Sequence, residues 1–422
     1  MSGVSVAGRA PWLGGPELRT LLETLSEGGE EARVAGGAVR NALLGEPVSD
    51  VDIATTVLPE ETIRRAKAAG FKPVPTGIEH GTVTVVAGGK PYEVTTLRAD
   101  IETDGRRAKV RFGRDWLADA ERRDFTINAF YADADGTVID LVGGLADIES
   151  RTIRFIGDAD RRIKEDYLRI LRFFRFFAWY GRGRPDADGL RACARLKEGL
   201  DGLSAERVWT ELKKLLAAPD PSRALLWMRQ ASVLSRVLPE SEKWGIDAIH
   251  GLVAAEAAFG WTPDPLLRLQ AIVPPDPARM EALARRLKFS RAEGARLTLW
   301  AMAEAPRADV GEAALARALY RGDANALRDR LRHAAAVARA RVEADPDALD
   351  QLTANANLLR FAEDWKTPRF PLAGADLVAL ELKPGPELGK LLARLENEWV
   401  DSGFRLSREE LLEKAGAASG EG

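Results

Sequence analysis

Residues 34–56 read Val34-Ala35-Gly36-Gly37-Ala38-Val39-Arg40-Asn41-Ala42-Leu43-Leu44-Gly45-Glu46-Pro47-Val48-Ser49-Asp50-Val51-Asp52-Ile53-Ala54-Thr55-Thr56. A short apolar run meets two glycines, then a stretch with apolar residues at helical spacing, then Val- and Thr-rich sequence carrying two aspartates. This predicts a strand over 32–36, a helix over 38–44 and a strand over 51–56. Further Val- and Thr-rich segments at 82–87 and 92–97 read as strands. Residues 17–26 and 59–69 read as helices, the second opening on Pro59 and two glutamates. The first 150 residues therefore predict a mixed α/β head around one sheet. From about residue 159 strand signals give way to Ala-, Leu-, Arg- and Glu-rich helical patterns, among them 160–180, 204–217, 222–236 and 326–342. The fold class is α+β, a mixed-sheet head followed by an all-helical remainder.

The chain has 422 residues, 45% hydrophobic and 30% charged, enough to bury large cores without disulfides. One cysteine, Cys193, excludes a disulfide framework, and three scattered histidines make a histidine metal centre implausible. Sixty-one basic against 64 acidic residues give a net charge of −3, so any nucleic-acid partner has to meet a local patch. Such a patch exists: residues 161–184 hold eight Lys or Arg against Glu165 and Asp166. No run reaches the roughly 18 apolar residues of a membrane span, and no signal peptide is expected. The expectation is a cytoplasmic protein without a membrane partner. The glycine turn is not GxGxxG, and the acids follow too soon for a ribose-binding position, so NAD is not an expected cofactor.

At a strand-to-helix turn, Gly36 and Gly37 let the backbone approach a ligand, and free N–H groups meet an anion. Arg40, one turn on, can clamp a phosphate oxygen in fork geometry. Asp50 and Asp52 alternate with Val51, so on a strand both carboxylates point to one side, Cα atoms ~7 Å apart. Such a pair suits hard divalent cations in a two-metal site. Glu93, in Tyr92-Glu93-Val94-Thr95-Thr96-Leu97-Arg98, is a candidate third carboxylate from a neighbouring strand. An outward-facing strand charge is its competing reading.

GGAVRNALLG, SDVDIAT, YEVTTLR, ERRDFTINAF and EDYLRILRFFRF, in that order over residues 34–180, resemble the class II tRNA nucleotidyltransferases. These CCA-adding enzymes share a catalytic head with bacterial poly(A) polymerases, in the polymerase-β-like superfamily. A weaker likeness at 374–377 and 383–389 extends it to the tail. The resemblance implies a head over 1–150, a neck that reads the base over 151–217, a body over 218–350, and a tRNA-binding tail over 351–422. The small and polar residues 414–422 at the end of the tail are expected to be disordered. The resemblance also implies a Mg²⁺-dependent enzyme acting on the tRNA 3′ end with CTP and ATP. By the same resemblance Asp50 and Asp52 bind magnesium. Gly37, Arg40 and Arg123 contact the nucleotide, Asp124 and Asn128 are structural or sugar-facing, Asp166 and Arg169 read the base, and Arg172 and Arg175 bind nucleotide. Two positions depart from the pattern: Asn41 stands where many members have Asp, and Glu381 where Gly is expected.

The base-reading pair has a physical rationale. Residues 166 and 169 are three apart in a helical pattern and are expected on one face. A carboxylate accepts and a guanidinium donates. Cytosine and adenine each present an exocyclic amine beside a ring-nitrogen acceptor. Uracil and guanine present a carbonyl and an N–H instead, mismatching both contacts at roughly 1–3 kcal/mol each. Alternatives that stay open are a poly(A) polymerase, an enzyme adding only CC or only A, and a catalytically dead RNA-binding module.

Overall fold

A computed structural model of the chain describes residues 4–104, 107–242, 244, 246–342 and 344–419. The chain divides into two compact units, Met1–Pro239 and Glu240–Gly422.

The first unit begins with α1 (Pro16–Leu25), β1 (Ala32–Ala35), α2 (Gly37–Leu44), β2 (Asp52–Thr55) and α3 (Pro59–Ala68). Next come β3 (Lys72–Gly77), β4 (Thr82–Ala87), β5 (Lys90–Thr96), β6 (Arg98–Asp104), β7 (Arg107–Phe112) and α4 (Trp116–Glu121). β8 (Phe130–Ala132), β9 (Val138–Asp140) and α5 (Gly144–Ser150) complete the mixed part. Seven strands form one sheet in the order β3-β4-β5-β2-β1-β8-β9, while β6 and β7 pair separately. Every pairing in the large sheet is antiparallel except β2 with β5, which sets Asp52 opposite Glu93. All four predicted strands and all three predicted helices of the head are present. The edge strand β3 was not expected. Pro73 and Pro75 disguise it, and proline is tolerated only where no inner ladder needs its N–H.

Helices follow: α6 (Ala159–Glu165), α7 (Leu168–Tyr180), α8 (Ala187–Arg195), α9 (Ala205–Leu216), α10 (Ser222–Gln230) and α11 (Leu234–Val237). The single helix expected over 160–180 is two. Asp166 is extended (φ −158°, ψ 107°), and its Oδ1 accepts a hydrogen bond from the backbone N–H of Leu168, the first residue of α7, at 3.1 Å. Apolar periodicity runs across this break, which is why the pattern hid it. α7 buries Phe173, Phe174, Phe176 and Phe177, and Phe173 stacks on Phe155 at 5.5 Å.

The second unit is helical throughout its described residues: α12 (Ala248–Phe259), α13 (Pro265–Ile272), α14 (Pro277–Arg286), α15 (Arg291–Met302), α16 (Glu312–Arg321), α17 (Ala324–Arg341), α18 (Asp347–Asp364), α19 (Gly374–Val378), α20 (Pro386–Asp401) and α21 (Arg408–Ser419). One core packs Leu315, Leu319, Leu331 and Leu358; another packs Leu377, Leu395, Trp399 and Leu411. The end expected to be disordered from 414 is helical through Ser419; residues 420–422 lie outside the described residues. No helix of the described residues is long and apolar enough to cross a membrane. A cavity of about 620 Å³ between α15 and α16 is mostly apolar and contains none of the predicted site residues.

Candidate active site

β1 delivers the chain to Gly36, whose backbone (φ 67°, ψ −118°) starts α2. Only glycine takes this conformation readily. A Cβ here would also stand 3.1 Å from Nη1 of Arg123. The turn therefore brings bare backbone against an arginine. Together with Gly37, Arg40, Asp52, Arg123, Asp124, Asn128, Asp166, Arg169, Arg172, Phe176 and Arg207, it lines a cavity of about 450 Å³. Seven of the expected residues beyond Gly36 thus share one concave site. Asp50 and Arg175 are not among its lining. Neither is Glu93, which flanks Asp52 through strand register.

Asp50 precedes β2, exposed, with its Oδ2 accepting from Ser49 Oγ at 2.8 Å. Asp52 is the first residue of β2, and its side chain is open to the cavity. Protein packed around its carboxyl raises its pKa. Glu93 and Asp50 raise it further by repulsion, against the pull of Arg123. Like charges held together in this way fit a hard divalent cation with oxygen ligands. Among the described residues no three acidic, histidine or cysteine side chains converge closely enough to hold an ion by themselves. A cation at this edge would have to take further oxygens from elsewhere.

Arg123 is held from behind. Asp119, buried on α4, accepts from its Nη2 at 3.2 Å and also from Arg122 and the Tyr131 hydroxyl. Burial pushes the Asp119 carboxyl up, but Arg122 and Arg123 outweigh it and the net shift is downward. Nη1 of Arg123 donates to the Asn128 carbonyl. Its buried Nε has no partner among the described residues. The side chain as a whole lines the cavity, where a guanidinium is suited to an anion.

Arg40 differs from expectation. It is buried, at 8% exposure, and its fork does not stand open. Nε and Nη2 donate to Asn41 Oδ1 at 3.0 and 2.9 Å, Nη2 also to the Tyr180 hydroxyl, and Nη1 to Asn128 Oδ1. Asn41, the departure from the usual Asp, also donates Nδ2 to the Pro47 carbonyl, which an aspartate could not do.

The base-reading candidates stand together but not on one helix. Asp166 lies in the break, and its Oδ2 accepts from Arg207 of α9 at 2.6 Å. Arg169, on α7, donates Nη1 to Glu165 at 2.6 Å and to the Arg162 carbonyl at 2.8 Å. Arg172 binds Asp124, and Glu211 of α9 accepts from Arg175 at 2.6 Å. Arg207 and Glu211, one turn apart on α9, escaped the sequence reading. Their i, i+4 spacing was visible, but not their partners some forty residues earlier. Phe176 was read only as core. It is buried, yet the guanidinium carbons of Arg40, Arg172 and Arg175 lie 5.3, 5.4 and 4.1 Å from its ring centroid.

Two arginines of the second unit, in the basic runs 285–288 and 328–332, are engaged within the protein. Arg286 pairs with Glu240 at 2.7 Å and Arg332 with Glu363 at 2.8 Å.

Comparison with known proteins places the chain in a family. Residues 32–154 match the family described as "Poly A polymerase head domain", and residues 185–244 match "Probable RNA and SrmB- binding site of polymerase A". The mouse protein named "CCA tRNA nucleotidyltransferase 1, mitochondrial" is 35% identical over 410 residues, 94% of this chain and 88% of that one. A Streptococcus pneumoniae CCA-adding enzyme is 45% identical over 210 residues, 49% of this chain and 51% of its own. The crystal structure of the Bacillus stearothermophilus CCA-adding enzyme with CTP superposes with a TM-score of 0.69 at 28% identity, covering 96% of this chain and 98% of that one. The chain belongs to the class II CCA-adding enzyme and poly(A) polymerase family.

Proposed function

We propose that this protein adds C, C and A in turn to the 3′ end of tRNA, from CTP and ATP, without a nucleic-acid template. The observation that carries the reading is a single cavity joining a glycine turn, an acidic strand edge and Arg123 to the Asp166–Arg169 pair. Phosphate-handling and base-reading groups thus face one nucleotide-sized space.

Each group has a task in this reading. The Gly36–Gly37 turn and the start of α2 receive the triphosphate, with the Arg123 guanidinium beside them and Arg40 offering its remaining donor. Asp166 accepts from the exocyclic amine of C or A, and Arg169 donates to the ring nitrogen beside it. U and G fail both contacts. Arg172 and Arg175 sustain the positive field of α7. Asp50 and Asp52, with Glu93 beside them, would hold Mg²⁺, the remaining ligands being nucleotide oxygens. Bound there, the ion supplies activation of the primer hydroxyl and neutralisation of phosphate charge. The 3′-oxygen attacks the α-phosphorus in line as its O–H proton departs, and the bond to pyrophosphate breaks. Positioning and electrostatics account for most of the acceleration.

The division into head 1–150, neck 151–217, body 218–350 and tail 351–422 belongs to the same proposal, with tRNA gripped by body and tail. The cytoplasm is the proposed compartment; imaging of the tagged full chain tests it.

The deciding experiment offers three tRNA transcripts, ending before CCA, after C and after CC, to the full chain with Mg²⁺ and each nucleotide separately. Two C additions, one A and a stop support the proposal. A long ATP-only tail supports a poly(A) polymerase, CC alone or A alone a narrower enzyme, and tRNA binding without incorporation an RNA-binding module.

A further inference from the structure

Tyr180 is the last residue of α7, the helix that carries Arg169 and Arg172. Its hydroxyl accepts from Nη2 of Arg40 at 2.9 Å, from a residue 140 positions earlier. Its ring lies 4.3 Å from the Arg40 guanidinium carbon and stacks on Phe176 at 5.9 Å and 29°. A guanidinium has five N–H donors. Two engage Asn41, one Asn128 and one Tyr180, which leaves a single hydrogen on Nη1. Arg40 nevertheless lines the cavity, immediately behind the glycine turn.

A side chain with one donor left acts through its orientation. Asn41 and Asn128 hold Arg40 from its own end of the unit, whereas Tyr180 holds it from the far end of the base-reading helix. We propose that Tyr180 is a positioning residue for the triphosphate. It fixes the rotation of Arg40 so that the remaining Nη1 hydrogen meets a phosphate oxygen, and it ties that contact to α7. This rests on the nucleotide-binding reading of the cavity. Phenylalanine at 180 would keep the ring contacts with Arg40 and Phe176. It would leave one Nη2 hydrogen without its acceptor in a nearly buried charged group, which that group avoids by turning.

The test is calorimetric titration of the full chain with CTP, ATP and CMP in Mg²⁺, together with steady-state incorporation on tRNA. In Tyr180→Phe, Kd for CTP and ATP rises about tenfold and KM follows, as expected for a lost charge-assisted bond. CMP binding stays at the wild-type value, and pyrophosphate inhibits more weakly. In an Arg40→Lys background the Tyr180→Phe change adds nothing further, since the two act as one unit. Wild-type CTP affinity in Tyr180→Phe overturns the proposal, as does an equal loss of CMP and CTP or additivity with Arg40→Lys. A wild-type chain that binds CTP but never extends tRNA overturns the proposed activity instead, and leaves this comparison intact.

Discussion

Asp166 Oδ2 and Arg207 Nη2 are 2.6 Å apart, so the carboxylate assigned to the base already has a cationic partner on another helix. Reading a base therefore replaces or shares an existing ion pair. Arg207→Gln is expected to lower kcat/KM for CTP and ATP alike, by about 10- to 100-fold, the range for a hydrogen bond to a charged group. Because it aims Asp166, UTP incorporation should rise relative to CTP. Single-nucleotide incorporation on tRNA lacking CCA measures both, and an unchanged UTP-to-CTP ratio would refute the aiming role.

Asp52 carries a raised pKa, from surrounding protein first and then from Glu93 and Asp50. The sign follows. A carboxyl whose folded pKa lies above its unfolded value contributes stability below the unfolded pKa and loses it as pH rises through the folded one. At neutral pH the charged Asp52 thus weakens the metal-free protein. Asp52→Asn should raise its thermal midpoint at pH 7, with the gain vanishing toward the acid range. The same change should cut incorporation by at least ~10²-fold and abolish stabilisation by added Mg²⁺. Melting curves with and without the ion, across pH, distinguish these effects.

Glu381 has φ 64°, a left-handed backbone that side chains with a Cβ adopt at a cost. This is the position where the family pattern calls for glycine. Glu381→Gly should stabilise the second unit by about 0.5–1 kcal/mol, the relieved strain exceeding the added freedom of the unfolded chain. A urea midpoint at or below the wild-type value would show that no strain is stored there.

His333 donates Nε2–H to Gln270 Oε1 at 3.2 Å, and burial lowers its pKa to about 4. A depressed value means stability present above the ordinary histidine pKa of 6.5 and lost as pH falls toward 4. The loss should be on the order of 1–3 kcal/mol. His333→Gln should flatten this part of the urea-midpoint profile, and a parallel profile would reject the assignment.

How much could be read beforehand differs by region for physical reasons. The turn at Gly36 and the acidic strand were legible because glycine, helical spacing and β-branched residues act within a few positions. β3 was not, because Pro73 and Pro75 suit only a sheet edge, and edges are tertiary facts. The break at Asp166 was hidden because one side-chain bond to the Leu168 N–H interrupts an otherwise unbroken apolar rhythm. Arg40 showed its type and place but not its engagement, since Tyr180 lies 140 residues away. Arg207 and Glu211 showed only their i, i+4 spacing, because their meaning is given by Asp166, Arg172 and Arg175.

Among the described residues β2 beside β5 is the lone parallel pairing, and it has an architectural consequence. Parallel neighbours require a crossover, and here α3, β3 and β4 make it. The crossover thereby supplies β4, which pairs along β5 and sets Thr84 opposite Glu93, so Glu93 stands between Thr84 and Asp52 across three strands. Its strands are thus part of the frame that keeps the two carboxylates abreast. Changes of length are expected only in its turns, such as Gly88–Gly89, where no ladder is interrupted.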